Sequence, residues 1–194
     1  MAELCVARSE LILGGQKSGK TARAESLAAA WLMQSTDRHA IYVATALAWD
    51  DEMRERIARH RRERAKRLPA MLTIEEPDEL GLAITRHSRP DTLVVVDCLT
   101  LWLTNRMMPA EPVKTARPEA TALAPDEAIS QMLSACTGPV VIVSNEIGLG
   151  VIPLGRDVRA YVDALGKLNQ RTAAACERVT LMAAGLTLTL KGTP

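Results

Sequence analysis

An apolar run, Leu11-Ile12-Leu13, gives way to Gly14-Gly15-Gln16-Lys17-Ser18-Gly19-Lys20-Thr21, and no other stretch constrains the chain as strongly. From Gly14 to Thr21 the octet matches G-x-x-x-x-G-K-[ST], flanked by a strand-like run before it and an Ala/Leu-rich helical run after it. Gly14 and Gly19 supply backbone angles that other residues avoid, so successive N–H groups can converge on one anion. The helix that opens there adds unpaired amides and a favourable dipole. In this reading all eight residues are nucleotide contacts. Lys20 reaches the β- and γ-phosphates, and the Thr21 hydroxyl holds Mg²⁺. The octet therefore reads as a binding site for a nucleoside triphosphate, ATP or GTP.

The rest of the chain alternates strand and helix signals. Strands are predicted at Ala40–Thr45, Leu72–Ile74, Leu93–Asp97, Val140–Val143, Val179–Met182 and Leu186–Leu190, the last two joined by a turn at Gly185. Helices are predicted from Thr21 to about Gln34, Asp50 to about Arg67, Asp78–Thr85, Leu99–Met107, Asp126 to about Cys136, and Asp157 to Glu177. Such alternation implies an α/β fold, a mostly parallel sheet with helices on both faces, of the P-loop NTPase type. Ligands then bind at the carboxyl ends of the strands. No linker separates domains, so residues 1–194 are expected to form one domain. Pro109–Pro125, rich in proline and small residues, is expected to be a mobile surface loop.

The formal net charge of +1 and an aromatic content of 3% with no Phe argue against a general polyanion binder or a stacking platform for single strands. Nucleic acid is therefore not an expected partner, and an arginine-gripping ATPase is disfavoured. Cys5, Cys98, Cys136 and Cys176 have no metal-ligand spacing and read as small buried residues in a reducing compartment. With no signal pattern and no apolar run near 18 residues, no membrane span is expected and the location is read as cytoplasmic.

Three places offer chemistry besides the loop. Asp97 ends a buried aliphatic strand, as an acid near Mg²⁺ or as the cap of the following helix. Asn145 and Glu146 end another strand, as groups meeting a substrate hydroxyl or as turn formers. On the helix from Asp50, residues Met53, Ile57, His60 and Arg64 share a stripe, which is expected to face inward. Arg59, Arg61, Arg62 and Arg64 surround His60 there. A neutral imidazole is a nucleophile, and arginines can grip the phosphates it would attack. The alternative is a solvated basic helix whose histidine merely packs. His39 and His87 have no comparable setting.

Taken together, GGQKSGKTARAE, YVATALAWDDEMRERIARHRRER, VVVDCLTLWLTN and SNEIGLGVIPLGRDVRAYVDALGKLNQRTAAACERV resemble one family over nearly the whole chain. It is the bifunctional adenosylcobinamide kinase and adenosylcobinamide-phosphate guanylyltransferase of cobalamin biosynthesis. The resemblance implies two reactions: phosphorylation of adenosylcobinamide at its aminopropanol hydroxyl, and transfer of GMP from GTP through a guanylyl-histidine to the resulting phosphate. His60 matches the guanylylated histidine, and Lys20 is the other catalytic candidate. Family nucleotide contacts fall on Gly14–Thr21, on Ala44, Thr45 and Ala46, on Arg61, Arg62, Glu63 and Arg64, and on Glu75 and Asp97. Thr21 and Asp97 are the expected metal ligands, and a homotrimer is the implied state. Two departures stand out. Ala65 follows Arg64 where many relatives have Pro, and Tyr161-Val162-Asp163 stands where many have Phe-Arg-Asp.

Overall fold

The computed structural model describes residues 4–108 and 125–193. The strands are β1 (Ser9–Gly14), β2 (His39–Ala44), β3 (Met71–Glu75), β4 (Thr92–Asp97), β5 (Val140–Val143), β6 (Arg178–Ala183) and β7 (Leu186–Lys191). The helices are α1 (Lys20–Leu32), α2 (Asp51–Arg67), α3 (Leu80–His87), α4 (Leu99–Met107), α5 (Pro125–Ala135) and α6 (Arg156–Ala175), with a 3₁₀ turn at Ile147–Leu149. Of the stretch read as a surface loop, residues 109–124 lie outside the described residues. Pro125 opens α5 one residue ahead of Asp126, the expected cap, a position where proline's missing N–H costs nothing.

The strands form one sheet in the order β3-β2-β4-β5-β1-β6-β7. Every pairing is parallel except the β6–β7 hairpin. The fold is thus the mostly parallel α/β type read from the sequence. Alternation along each strand divides the core. Ile41, Val94, Val96, Leu11 and Ile142 meet α3, α4, α5 and α6 on one face. Ala40, Tyr42, Leu93, Val95, Ile12 and Val143 meet α1 on the other. Leu93 to Val96 are fully buried, as a central strand covered on both sides requires.

Each such aliphatic side chain contributes about 1.5–3 kcal/mol by burial, whereas an exposed ion pair contributes at most about 1 kcal/mol. That difference separates the sheet from α2, whose sole buried residue is Arg64. The helix is well capped, Asp50 accepting from the Met53 N–H with acids in the first turn and bases in the last. It is nonetheless weakly packed, and side-chain anchors decide where it sits.

All four cysteines are unpaired. Burial pushes the Cys98 and Cys176 thiols up to about 12 and raises that of Cys136 as well; Cys5 is exposed. Because the thiolate is the reacting species, a disulfide reagent at pH 8 is expected to titrate one thiol quickly in the native protein, and none after Cys5→Ser. Two or more fast thiols in the native protein would contradict this packing.

Candidate functional site

β1 delivers its last residue, Gly14, into the loop at the carboxyl end of the sheet. Gly14 has φ +152°, and a Cβ on it would lie 2.5 Å from both the Met182 carbonyl oxygen and Ser18 Oγ. Only glycine fits. Lys17 and Gly19 also take positive φ, 57° and 105°, which turns the amides of the loop inward. Gly19 is the N-cap of α1 and offers no capping side chain, so the first turn of that helix keeps its amides for an anion.

The cradle is held from the β6–β7 turn and from beneath α1. The β6–β7 turn, with Ala184 and Gly185 at φ 51° and 79°, donates the Gly185 N–H to the Ser18 carbonyl at 3.0 Å. Beneath α1, the fully buried Glu10 carboxylate accepts from Arg178 at 3.1 Å and Thr180 at 2.9 Å, with Arg23 of α1 3.5 Å away. Removing one partner would strand a buried charge, so the network fixes how α1 lies on β1 and β6.

Lys20 is buried and its Nζ donates to the Gly14 and Gly15 carbonyls at 3.0 and 2.6 Å. Desolvation lowers its pKa, opposed by Cys98 and Asp97. The ammonium is thus held on the loop's own backbone, within reach of any phosphate that enters. Thr21 Oγ1 donates to Asp97 Oδ2 at 3.0 Å, so the two expected metal ligands meet. The same Oδ2 accepts from the Tyr42 hydroxyl. Among the described residues no cluster of three or more His, Cys, Asp or Glu could enclose a metal. A hydroxyl and a carboxylate beside a phosphate cradle instead suit Mg²⁺, which takes one or two protein oxygens and completes its shell with phosphate and water.

Glu146 lies beside the loop: its N–H donates to the Gly14 carbonyl at 3.2 Å. Its carboxylate accepts from Asn169 Nδ2 at 3.4 Å, which also donates to the Asn145 carbonyl at 3.0 Å. Asn169, on α6 and buried, was quoted in the family pattern but given no role; it orients the Asn145-Glu146 corner. Tyr161, the departure in that helix, donates to the Thr100 carbonyl at 2.8 Å and accepts from Thr104 at 3.0 Å, anchoring α6 to α4.

Thr45 is placed otherwise than a nucleotide contact would be. It is fully buried; its hydroxyl donates to the Cys98 carbonyl and accepts from the Cys98 N–H, both at 2.8 Å. Asn105 takes its carbonyl at 2.8 Å. Thr45 fastens β2 to β4 between the half-buried Ala44 and Ala46.

The inward stripe on α2 also needs correction. Arg64 is buried, Met53 and Ile57 are half-buried, and His60 is exposed. The helix runs back along the sheet after β2, and Arg61 reaches Glu75, the last residue of β3, at 3.3 Å. His60 therefore stands about 6 Å along the axis from Arg64, near the level of the β3 end that Arg61 reaches. Of the stripe only Arg64 is buried. Arg62 and Glu63 are exposed. Below them Arg64 lies over the Tyr42 ring, 3.6 Å from its centroid, and donates to Thr73 Oγ1 at 3.3 and 3.2 Å. Arg67 forms a bidentate pair with Glu25 of α1 at 2.8 and 3.0 Å.

Sequence reasoning gave Tyr42 no part. Its signal was slight: one polar-tipped ring within the otherwise apolar run Ala40–Ala44.

Comparison with known proteins bears on this geometry. The family model described as cobinamide kinase / cobinamide phosphate guanyltransferase matches residues 10–190. The chain is 43% identical over 185 residues to the Pseudomonas aeruginosa bifunctional adenosylcobalamin biosynthesis protein CobP, covering 95% of this chain and 98% of that one. It is 31% identical to the Escherichia coli bifunctional adenosylcobalamin biosynthesis protein CobU, covering 93% and 98%. Among solved structures, flagellar accessory protein FlaH from Methanocaldococcus jannaschii aligns with TM-score 0.52 and 12% identity, over 97% of this chain and 80% of that one. That likeness concerns the fold alone.

Proposed function

The chain belongs to the cobinamide kinase / cobinamide phosphate guanyltransferase family, a transferase family of cobalamin biosynthesis, and from that premise we propose that it carries out both reactions on one edge of its sheet. The observation that carries the reading is the meeting of Lys20, Thr21 and Asp97 at the loop on the same carboxyl edge where Arg61 and Glu75 fix the level of His60.

In the first reaction the aminopropanol hydroxyl of adenosylcobinamide attacks the γ-phosphorus of ATP or GTP. The bond to the β-phosphate oxygen breaks, the nucleoside diphosphate leaves, and the hydroxyl proton is released. This transfer asks chiefly for charge neutralisation and in-line placement. The loop amides and Lys20 supply the first. Thr21 and Asp97 would hold Mg²⁺, which when bound would supply positive charge to offset that of the phosphates. Asp97 is engaged by two hydroxyls, while the Glu146 carboxylate keeps a single long contact to Asn169. We assign Glu146 to the substrate hydroxyl and Asp97 to the metal.

In the second reaction a His60 ring nitrogen attacks the α-phosphorus of GTP and pyrophosphate leaves. A phosphate oxygen of adenosylcobinamide phosphate then attacks the same phosphorus. The N–P bond breaks, giving adenosylcobinamide-GDP and free imidazole. Two easier displacements replace one difficult one, and Arg61 and Arg62 beside His60 can hold the phosphates.

The homotrimer and single domain belong to this reading. Leu149, Val151, Ile152 and Leu154 near the Glu146 corner are 78–97% exposed, and an apolar surface of that kind suits burial by a second copy. One sheet joins all seven strands. A cytoplasmic location is supported by the four unpaired thiols; among the described residues no helix is long and apolar enough to cross a membrane.

The test is covalent labelling. Incubation with GTP labelled on its α-phosphorus is expected to leave protein-bound label that survives alkali and is lost in acid, as a phosphoramidate is. Label on the γ-phosphorus is not expected to stay. A protein that phosphorylates cobinamide and takes up no α-label would be a kinase alone.

A further inference from the structure

Besides the exposed Arg61–Glu75 pair, Arg64 and Arg67 tie α2 to the body of the protein, and these two ties end in different places. Arg67 pairs with Glu25 in the middle of α1, a residue that meets no ligand in the reading above. Arg64 instead rests on the Tyr42 ring, and the Tyr42 hydroxyl donates to the Asp97 oxygen that also receives Thr21. Arg64 is buried and has no carboxylate within ion-pair distance among the described residues. Its charge is met by the ring face and the Thr73 hydroxyl. Such a cation over a desolvated ring is bound more strongly than one in water.

The chain of contacts Thr21–Asp97–Tyr42–Arg64 thus runs from the metal-side oxygens to the helix turn just below His60. We propose that Tyr42 is a positioning residue that couples occupancy of the phosphate loop to the placement of α2, and with it of His60. The proposal rests on the reading of the loop as the nucleotide site. A cation drawn to Thr21 and Asp97 would fix the carboxylate whose oxygen accepts from the Tyr42 hydroxyl, and a carboxylate has lone pairs enough to keep that bond. The ring on which Arg64 sits would then be held in place.

Hydrogen exchange of α2 tests this without reference to turnover. In the unaltered protein, Mg²⁺ with a non-hydrolysable GTP analogue is expected to slow exchange in peptides covering the loop and in those covering α2. Tyr42→Phe keeps the ring beneath Arg64 and removes the hydroxyl. It should retain protection of the loop, while the ligand-dependent slowing of α2 falls about tenfold, as loss of a hydrogen bond to a charged group allows. Tyr42→Leu, which removes the ring, should speed exchange of α2 even without ligand. If α2 slows in Tyr42→Phe as it does in the unaltered protein, the hydroxyl carries no coupling and the proposal fails. If the loop gains protection in the unaltered protein and α2 does not, the coupling fails while the nucleotide reading stands. Loop peptides that gain no protection overturn both.

Discussion

His60→Ala is expected to abolish acid-labile GMP labelling, with a loss on the order of 10⁴-fold or more, as removal of a covalent nucleophile does elsewhere. Phosphoryl transfer to cobinamide should stay within about threefold, because an exposed side chain of this kind changes stability by less than about 0.5 kcal/mol. His60 is exposed and on a helix whose only buried residue is Arg64. Its side chain forms no hydrogen bond or ion pair with another described residue, so the fold does not depend on the imidazole. Parallel assays of α-label uptake and of kinase turnover decide the matter. Label retained in the variant removes His60 from the chemistry. Equal loss of both activities makes it a structural residue, contrary to its exposure on α2.

Lys20→Met should lose both reactions, each by a factor of roughly 10²–10³, the range for deleting one pre-organised donor from a site where charge develops. In the proposed reading both reactions use triphosphate held at the loop, and the ammonium is buried against the two glycine carbonyls there. Methionine keeps most of the aliphatic stem in that space, and the burial that lowers the lysine's pKa no longer opposes a charge there. The variant should therefore melt within a few degrees of the unaltered protein while failing to turn over. Kinase activity within tenfold of normal in a folded Lys20→Met protein would show that the loop amides suffice. Loss of the melting transition would instead assign the lysine to the fold.

The phosphate loop was legible because its chemistry is local: glycine spacing, a lysine and a hydroxyl within eight residues. Asp97 was legible for a related reason, since four buried aliphatics followed by an acid mark the end of a central strand. What escaped the sequence depends on where elements stop. The Met53-Ile57-His60-Arg64 stripe is real as helix geometry, but periodicity carries no information on what lies beneath it, and of the four only Arg64 is buried. Thr45 entered only as a contact implied by the family resemblance, and both faces of its hydroxyl are taken by Cys98, a residue far along the chain. Tyr42 has the alternation of an ordinary core position. Its part comes from Asp97 on one side and Arg64 on the other, brought together only by the sheet order. Gly185 was read correctly as a turn, and its hydrogen bond to Ser18 could not be read at all.

The sheet order also has a consequence for how the molecule is made. β1 carries the phosphate loop, but its partners are β5 and β6, whose residues follow it by well over a hundred positions. While the first two-thirds of the chain leaves a ribosome, Leu11, Ile12 and Leu13 have no neighbouring strand to join. The pairing of β2 with β3 and β4 can form meanwhile. Closing such distant pairings is intrinsically slow and leaves sticky segments uncovered. A half-synthesised chain then lacks both neighbours of β1, and the loop meets the turn that donates to Ser18 only when the final hairpin is made.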